Sequence, residues 1–136
     1  MNHPADELKD RTRNFALRVL KVVRSLPASI EGRTIAGQLL RSATSVAANY
    51  RAVCRARSRR EFLSKLAVVI EEADETAFWL EFLVDAQLIP DAKMRDLISE
   101  ANQLVAIFNA SRTTAKKGCR SASNDDSPQV RPRRAS

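Results

Sequence analysis

Apolar residues recur along this chain at helical spacing, not strand spacing. Leu8, Thr12, Phe15, Val19, Val22 and Leu26 are separated by alternating steps of four and three, so an α-helix carries them as one stripe, widened by Leu20 and Val23. Pro27 stops that helix. In the link ASIEGRT, Ser29, Gly32 and Thr34 suit a turn and a new helix N-terminus. The alternation returns in Ile35, Leu39, Ser42, Val46, Asn49 and Val53, but Ala36, Ser42, Ala43, Ser45 and Ala47 keep this face small, so another helix can approach closely. Asn49 on that face reads as a partnered buried polar group or a register device in preference to a ligand.

A third helix opens at Ser58. S-R-R-E is a capping box, in which the Glu61 amide donates to the Ser58 hydroxyl and the Ser58 amide to the Glu61 carboxylate. It continues through Phe62, Leu66, Val69, Ala73, Thr76, Leu80 and Leu83, flanked by Leu63, Ile70, Ala77 and Val84, and two adjacent apolar stripes imply two neighbouring helices. QLIP at 87–90 breaks it, and Pro90 followed by Asp91 begins a fourth helix, whose stripe is Met94, Leu97, Ala101, Leu104 and Phe108. Four helices with short links predict an all-α protein, an antiparallel up-down-up-down four-helix bundle. From about Ser111 the periodicity ends and Val130 is the one bulky apolar residue, so residues 1–110 read as the bundle and 111–136 as a disordered basic tail.

Length agrees with that division, because 136 residues supply one modest core and not two. Cys54 and Cys119 are too far apart to suggest a disulfide framework, no apolar leader follows the first charges, and no run approaches the ~18 apolar residues of a membrane span. These features predict a cytoplasmic protein with no membrane partner.

Charge changes the picture more. Residues 1–65 hold 14 Lys and Arg against 5 Asp and Glu, residues 66–110 hold 2 against 9, and residues 111–136 hold 7 against 2. The chain is bipolar, with a basic first half and an acidic third helix.

Several chemistries lack their residues. His3 is the only histidine, so neither the Glu-x-x-His pairs of di-iron bundles nor the Arg and His pair of helical ribonucleases can form. Gly32, Gly37 and Gly118 are isolated and make no phosphate loop. Cys54 has arginine neighbours that could activate a thiol, but no base, and reads as packed or inert. Glu71, Glu72, Asp74 and Glu75 could hold Mg²⁺ or share protons. They read first as a solvated face, or as partners of arginines on a neighbouring helix or subunit. Trp79, with Phe78 and Phe82, either completes the core or forms a subunit interface. No catalytic residue, metal or cofactor is expected.

What remains is arginine. Arg41 and Arg55 share a heptad position on the second helix, Arg51 lies one turn before Arg55, and Arg57, Arg59 and Arg60 follow at the corner into the third helix. Glu61 can pair with Arg57 and Lys65 at i,i+4, which leaves most of these cations without a local partner. A phosphate backbone or an acidic face of another chain would supply one.

Residues 38–83 also carry a resemblance. Q-x-x-R-S-A-x-S-V with its following Asn (Gln38, Arg41, Ser42, Ser45, Asn49), S-R-x-E-F (Ser58, Arg59, Glu61, Phe62) and E-A-D-E-T-x-x-W-L (Glu72 to Leu80) resemble the bacterial four-helix bundle proteins named after 23S rRNA intervening sequences. Many members read Ala-Glu-Gly where this chain has NYRAV, which marks a sub-branch. The resemblance implies a ring-shaped homopentamer, related to the accessory variability protein of diversity-generating retroelements, which binds nucleic acid and a reverse transcriptase through basic surfaces. The expected function is therefore a non-enzymatic oligomer that binds RNA or DNA through Arg41, Arg51, Arg55, Arg57, Arg59 and Arg60. The alternative is a homo-oligomeric scaffold for a protein partner, in which these arginines meet Glu71, Glu72 and Glu75 of a neighbouring subunit and Trp79 lies in the interface.

Overall fold

The structure is a computed structural model that describes residues 3–125, with side chains described through Gly118. Four helices occupy these residues in chain order: α1 (Pro4–Ser25), α2 (Ile30–Val53), α3 (Arg59–Asp85) and α4 (Asp91–Asp125). Each packs on its chain neighbours, and α1 meets α4 to close the bundle. No described helix is long and apolar enough to cross a membrane.

The stripes read from spacing form the core. Phe15 and Val19 of α1, Leu39 and Val46 of α2, Leu66, Val69, Leu80 and Leu83 of α3, and Met94, Leu104 and Phe108 of α4 are all buried. On α2 the stripe is displaced slightly at its C-terminal end, where Tyr50 is buried against the Phe108 ring, at a centroid distance of 5.5 Å, and Asn49 is half-buried. Asn49 needs no interhelical partner, since its amide donates to the Ser45 carbonyl at 2.9 Å and the Ser45 hydroxyl at 2.7 Å. Burial first, and the adjacent Cys54 thiol second, raise the Tyr50 phenol far above its ordinary value.

Local chemistry sets the element ends. Ser29 caps α2 by accepting from the Gly32 amide at 3.1 Å, and a Cβ on Gly32 would lie 2.2 Å from the Pro27 carbonyl oxygen, so the tight α1–α2 link requires glycine there. Gln87 adopts φ 59°, with Gln87 N–H donating to the Val84 carbonyl and Leu88 N–H to that of Leu83. That is a Schellman stop built on a residue other than glycine.

The fourth helix does not end where its apolar period does. It runs to Asp125 in place of unravelling at Ser111; the remainder of the expected tail, 126–136, lies outside the described residues. Propagating an existing helix adds a hydrogen bond per residue, and Ala, Lys and Arg are good helix formers. Arg112 donates to the Asn109 side chain at 2.7 Å and Thr113 to the Asn109 carbonyl at 3.0 Å. This overhang projects past the core at the end of the bundle that holds the α2–α3 link.

Candidate nucleic-acid interface

The α2–α3 link forms because α2 finishes at Val53 and Ser58 starts the next helix, leaving residues 54–58 to turn the chain. The Glu61 amide donates to Ser58 Oγ at 3.0 Å, as the capping box predicts. Its second half differs: the Glu61 carboxylate accepts from the Arg57 amide at 3.2 Å, one residue before the expected donor, and pairs with Lys65 at 3.1 Å. The Arg57 amide, and then Lys65, hold Glu61 below its ordinary value of 4.5. Arg57 therefore contributes its backbone amide, and among the described residues its guanidinium makes no hydrogen bond or ion pair.

Five of the six expected arginines gather at this end of the bundle. Arg51 lies in the last turn of α2, Arg55 and Arg57 in the link, and Arg59 and Arg60 open α3. All five are exposed, and among the described residues none makes a side-chain hydrogen bond or ion pair. The α4 overhang brings Arg112, Lys116 and Lys117 to the same end.

Arg41 behaves differently, and the strip expected from the sequence must be corrected there. Its guanidinium lies 2.7 Å from both Glu75 carboxylate oxygens and 3.3 Å from Glu72, so α3 of its own chain already supplies the counter-charge. The Arg41 hydrogen bond is the main reason Glu75 titrates below its ordinary value of 4.5. Beneath it, Ser42 and Thr76 are fully buried with their hydroxyl oxygens 2.9 Å apart; Thr76 Oγ1 also lies 2.7 Å from the Glu72 carbonyl and Ser42 Oγ 3.1 Å from that of Leu39. Two protons fill two of these three contacts at a time, and among the described residues no buried polar side-chain atom is left without a partner. Trp79 Nε1 donates to Glu75 at 3.3 Å. Of the residues that carried the resemblance, Arg41, Ser42, Glu72, Glu75, Thr76 and Trp79 thus form one interhelical clasp.

Among the acidic candidates, Glu72 and Glu75 are engaged in this clasp, whereas Glu71 is exposed and makes no hydrogen bond or ion pair among the described residues. Phe78 and Phe82 do not complete the core: they are 54% and 41% exposed, their centroids 5.9 Å apart, with Trp79 half-buried between them and the clasp. The far seam, between α1 and α4, is tied by Arg11, whose Nε donates to both Glu100 carboxylate oxygens at 3.0 and 3.1 Å. That hydrogen bond dominates the lowering of the Glu100 pKa.

Sequence spacing missed the opposite wall of the corner. Between the link and the overhang runs an open groove of about 1050 Å³, with Arg57, Arg59 and Phe62 on one side and Ile107, Thr114 and Ala115 on the other. The Arg59 guanidinium packs on Gly118, where a Cβ would sit 2.7 Å from it and make this flexible group shift. A glycine within an unpatterned basic stretch was the only available signal.

The family model for "23S rRNA-intervening sequence protein" matches residues 7–110. No curated protein matches the chain. Among solved structures, a crystal structure of a protein with unknown function from the S23 ribosomal protein family of Bacteroides thetaiotaomicron VPI-5482 aligns at a TM-score of 0.72 and 29% identity, over 76% of this chain and 96% of that one. The matched span holds the four core stripes, the clasp and the corner, and stops before the overhang.

Proposed function

Because the chain belongs to the 23S rRNA-intervening sequence protein family, we propose that it is a non-catalytic, self-associating bundle that binds the phosphate backbone of RNA or DNA through its arginine corner. The observation that supports this reading is the set Arg51, Arg55, Arg57, Arg59 and Arg60, exposed together at one end of the bundle without counter-charge among the described residues. Guanidinium groups suit phosphate oxygens because their planar fork donates two parallel hydrogen bonds. The set is a cluster of exposed guanidinium groups, which suits contact with the backbone and not with base sequence.

Fluorescence anisotropy with duplex DNA and structured RNA at several salt concentrations tests it. Each neutralised phosphate contributes a slope of about −0.9 in log K against log salt on duplex DNA. Absence of binding at low salt, or an Arg51/Arg55/Arg59→Ala variant with wild-type affinity, overturns the reading.

Self-association rests on a different observation, the exposure of Phe78 and Phe82 beside Trp79. Aromatic rings are enriched at subunit interfaces, and the proposed assembly is the homopentamer that the family resemblance implies. Light scattering should find an oligomer that falls to monomer in Phe78→Ser/Phe82→Ser; a monomeric wild type overturns this part. The scaffold alternative, with corner arginines bound to a neighbour's acidic helix, has less support, because Arg41 already occupies Glu72 and Glu75 within the chain.

A further inference from the structure

We propose that the groove between the α2–α3 link and the α4 overhang takes one unpaired nucleotide of a bound strand, its base against Phe62 and its phosphate on Arg57 and Arg59; this rests on the backbone-binding reading above and gives it a strand preference. The groove's chemistry is of two kinds. Its floor is apolar, with Phe62 half-buried and Ile107 and Ala115 facing it from α4. Its rim is cationic, and of the residues that line it two are arginines and none is acidic.

An occupant must therefore combine a flat apolar body with negative charge. A nucleotide does so: the base can stack on an aromatic ring, and the phosphate can meet guanidinium groups. Ser111 and Thr114 add hydroxyls that make no hydrogen bond among the described residues, and these can meet the edge of a base. At about 1050 Å³ the open groove lies just above the roughly 300–1000 Å³ typical of small-ligand clefts, so a base with its sugar fits. A paired base is held in its stack and cannot enter. A duplex can touch only the rim, whereas a single strand can use both rim and floor.

The contrast with a second groove supports this choice of site. Between α1 and α2, Lys9, Arg13 and Arg51 line a depression together with Asp6 and Asp10. Lys9 is paired with Asp6 there, Asp10 adds a second carboxylate, and no aromatic residue lines it. Charge alone would not distinguish the two; the acid-free rim over a phenylalanine does.

The Arg59 guanidinium packs over the Gly118 backbone, a position where any side chain would displace it.

The test compares the full-length protein with its Ala115→Trp variant, in which the indole fills the groove without removing a charge. A uridine-containing single-stranded RNA and an RNA duplex of matched length are titrated at low salt. Stacking of one base predicts that the variant loses about tenfold in single-strand affinity while duplex affinity stays within about twofold. Equal loss on both, or loss on neither, overturns the groove and leaves the backbone reading standing; a wild-type protein that binds neither overturns the backbone reading, and the groove with it. Ultraviolet crosslinking of the wild type to the same strand needs no variant, and the adduct should map to Phe62 or to residues 107–115. Adducts confined to other peptides, or an acidic peptide that binds and is displaced by Ala115→Trp while RNA is not, overturn the proposal in favour of a protein occupant.

Discussion

Arg41 and Arg51 are both exposed arginines of α2, yet the fold treats them oppositely. Arg41 is bound to Glu72 and Glu75 over the buried Ser42 and Thr76 hydroxyls, so its charge locks the register of α2 against α3. Among the described residues Arg51 and the four arginines after it have no such partner, and α3 carries no acid but Glu61 at that end, which is occupied by Lys65 and the Arg57 amide. Residue type does not separate a structural arginine from a ligand-binding one. Position in the interhelical register does.

Binding is where the two regions should differ most. Replacing Arg51, Arg55 and Arg59 with alanine removes up to three phosphate contacts, which predicts a loss of about a hundredfold or more at low salt and a salt slope flatter by nearly 3 units, with the melting temperature unchanged. Arg41→Ala should leave both affinity and slope at wild-type values. If Arg41→Ala matches one third of the triple variant's loss, the clasp opens on binding and the distinction between the regions fails.

A leucine in each region gives the next largest contrast. Ser42 has 0% exposure, and inserting a leucine into the close α2–α3 contact should cost about 1–3 kcal/mol through overpacking. Arg55→Leu, at an exposed link position, should stay within about 0.5 kcal/mol. Chemical denaturation reads both; a tolerated Ser42→Leu would mean that the clasp is looser than its contacts suggest.

Much of this was legible in the sequence, for reasons tied to particular residues. Steps of four and three mark a face that turns inward whatever its partner, so Phe15, Val19, Leu39, Val46, Leu66, Val69, Leu80, Leu104 and Phe108 were all identified as core before any contact was known. Register was not legible, because spacing within one helix says nothing about its slide along another. Arg41 was consequently placed with the ligand-binding arginines, although two adjacent pairs, Arg41-Ser42 and Glu75-Thr76, did offer matching polar steps. The overhang was missed for the converse reason: its small and basic residues leave no apolar period, and its helix follows from propagation and from contact with the corner. Phe78 and Phe82 were legible only as a surplus, which their exposure resolves in favour of a surface.

Ser58 lies where the two regions meet, and removing its hydroxyl is the third test. Ser58→Ala should cost about 1 kcal/mol, with faster hydrogen exchange at the Glu61 amide that the hydroxyl now accepts. Because the first turn of α3 carries Arg59 and Arg60, single-strand affinity should fall slightly while the clasp is untouched. Unchanged exchange at Glu61 would show that the cap is not closed in solution.

The smallest effects are those of acid, and they separate Arg41 of the clasp from the side chains of the corner arginines. Glu75 and Glu100 both titrate below 4.5, held there chiefly by hydrogen bonds from Arg41 and Arg11. A carboxylate whose pKa is lower folded than unfolded contributes its stability above the unfolded value and loses it as pH falls through the folded one. Melting temperature should therefore change little between neutral pH and about pH 5, then decline below about 4.5. Arg11→Ala should remove the larger part of that decline, because the Glu100 side chain is 17% exposed against 33% for Glu75 and is less screened by water. Arg41→Ala should remove a smaller part, and since Glu75 and Glu100 lie on different seams of the bundle the two effects should add. Arg55→Ala should leave the acid limb unchanged, because no carboxylate depends on it. An acid limb identical in wild type and Arg41→Ala would mean that Glu75 is solvated in solution, and that Arg41 belongs with the corner arginines after all.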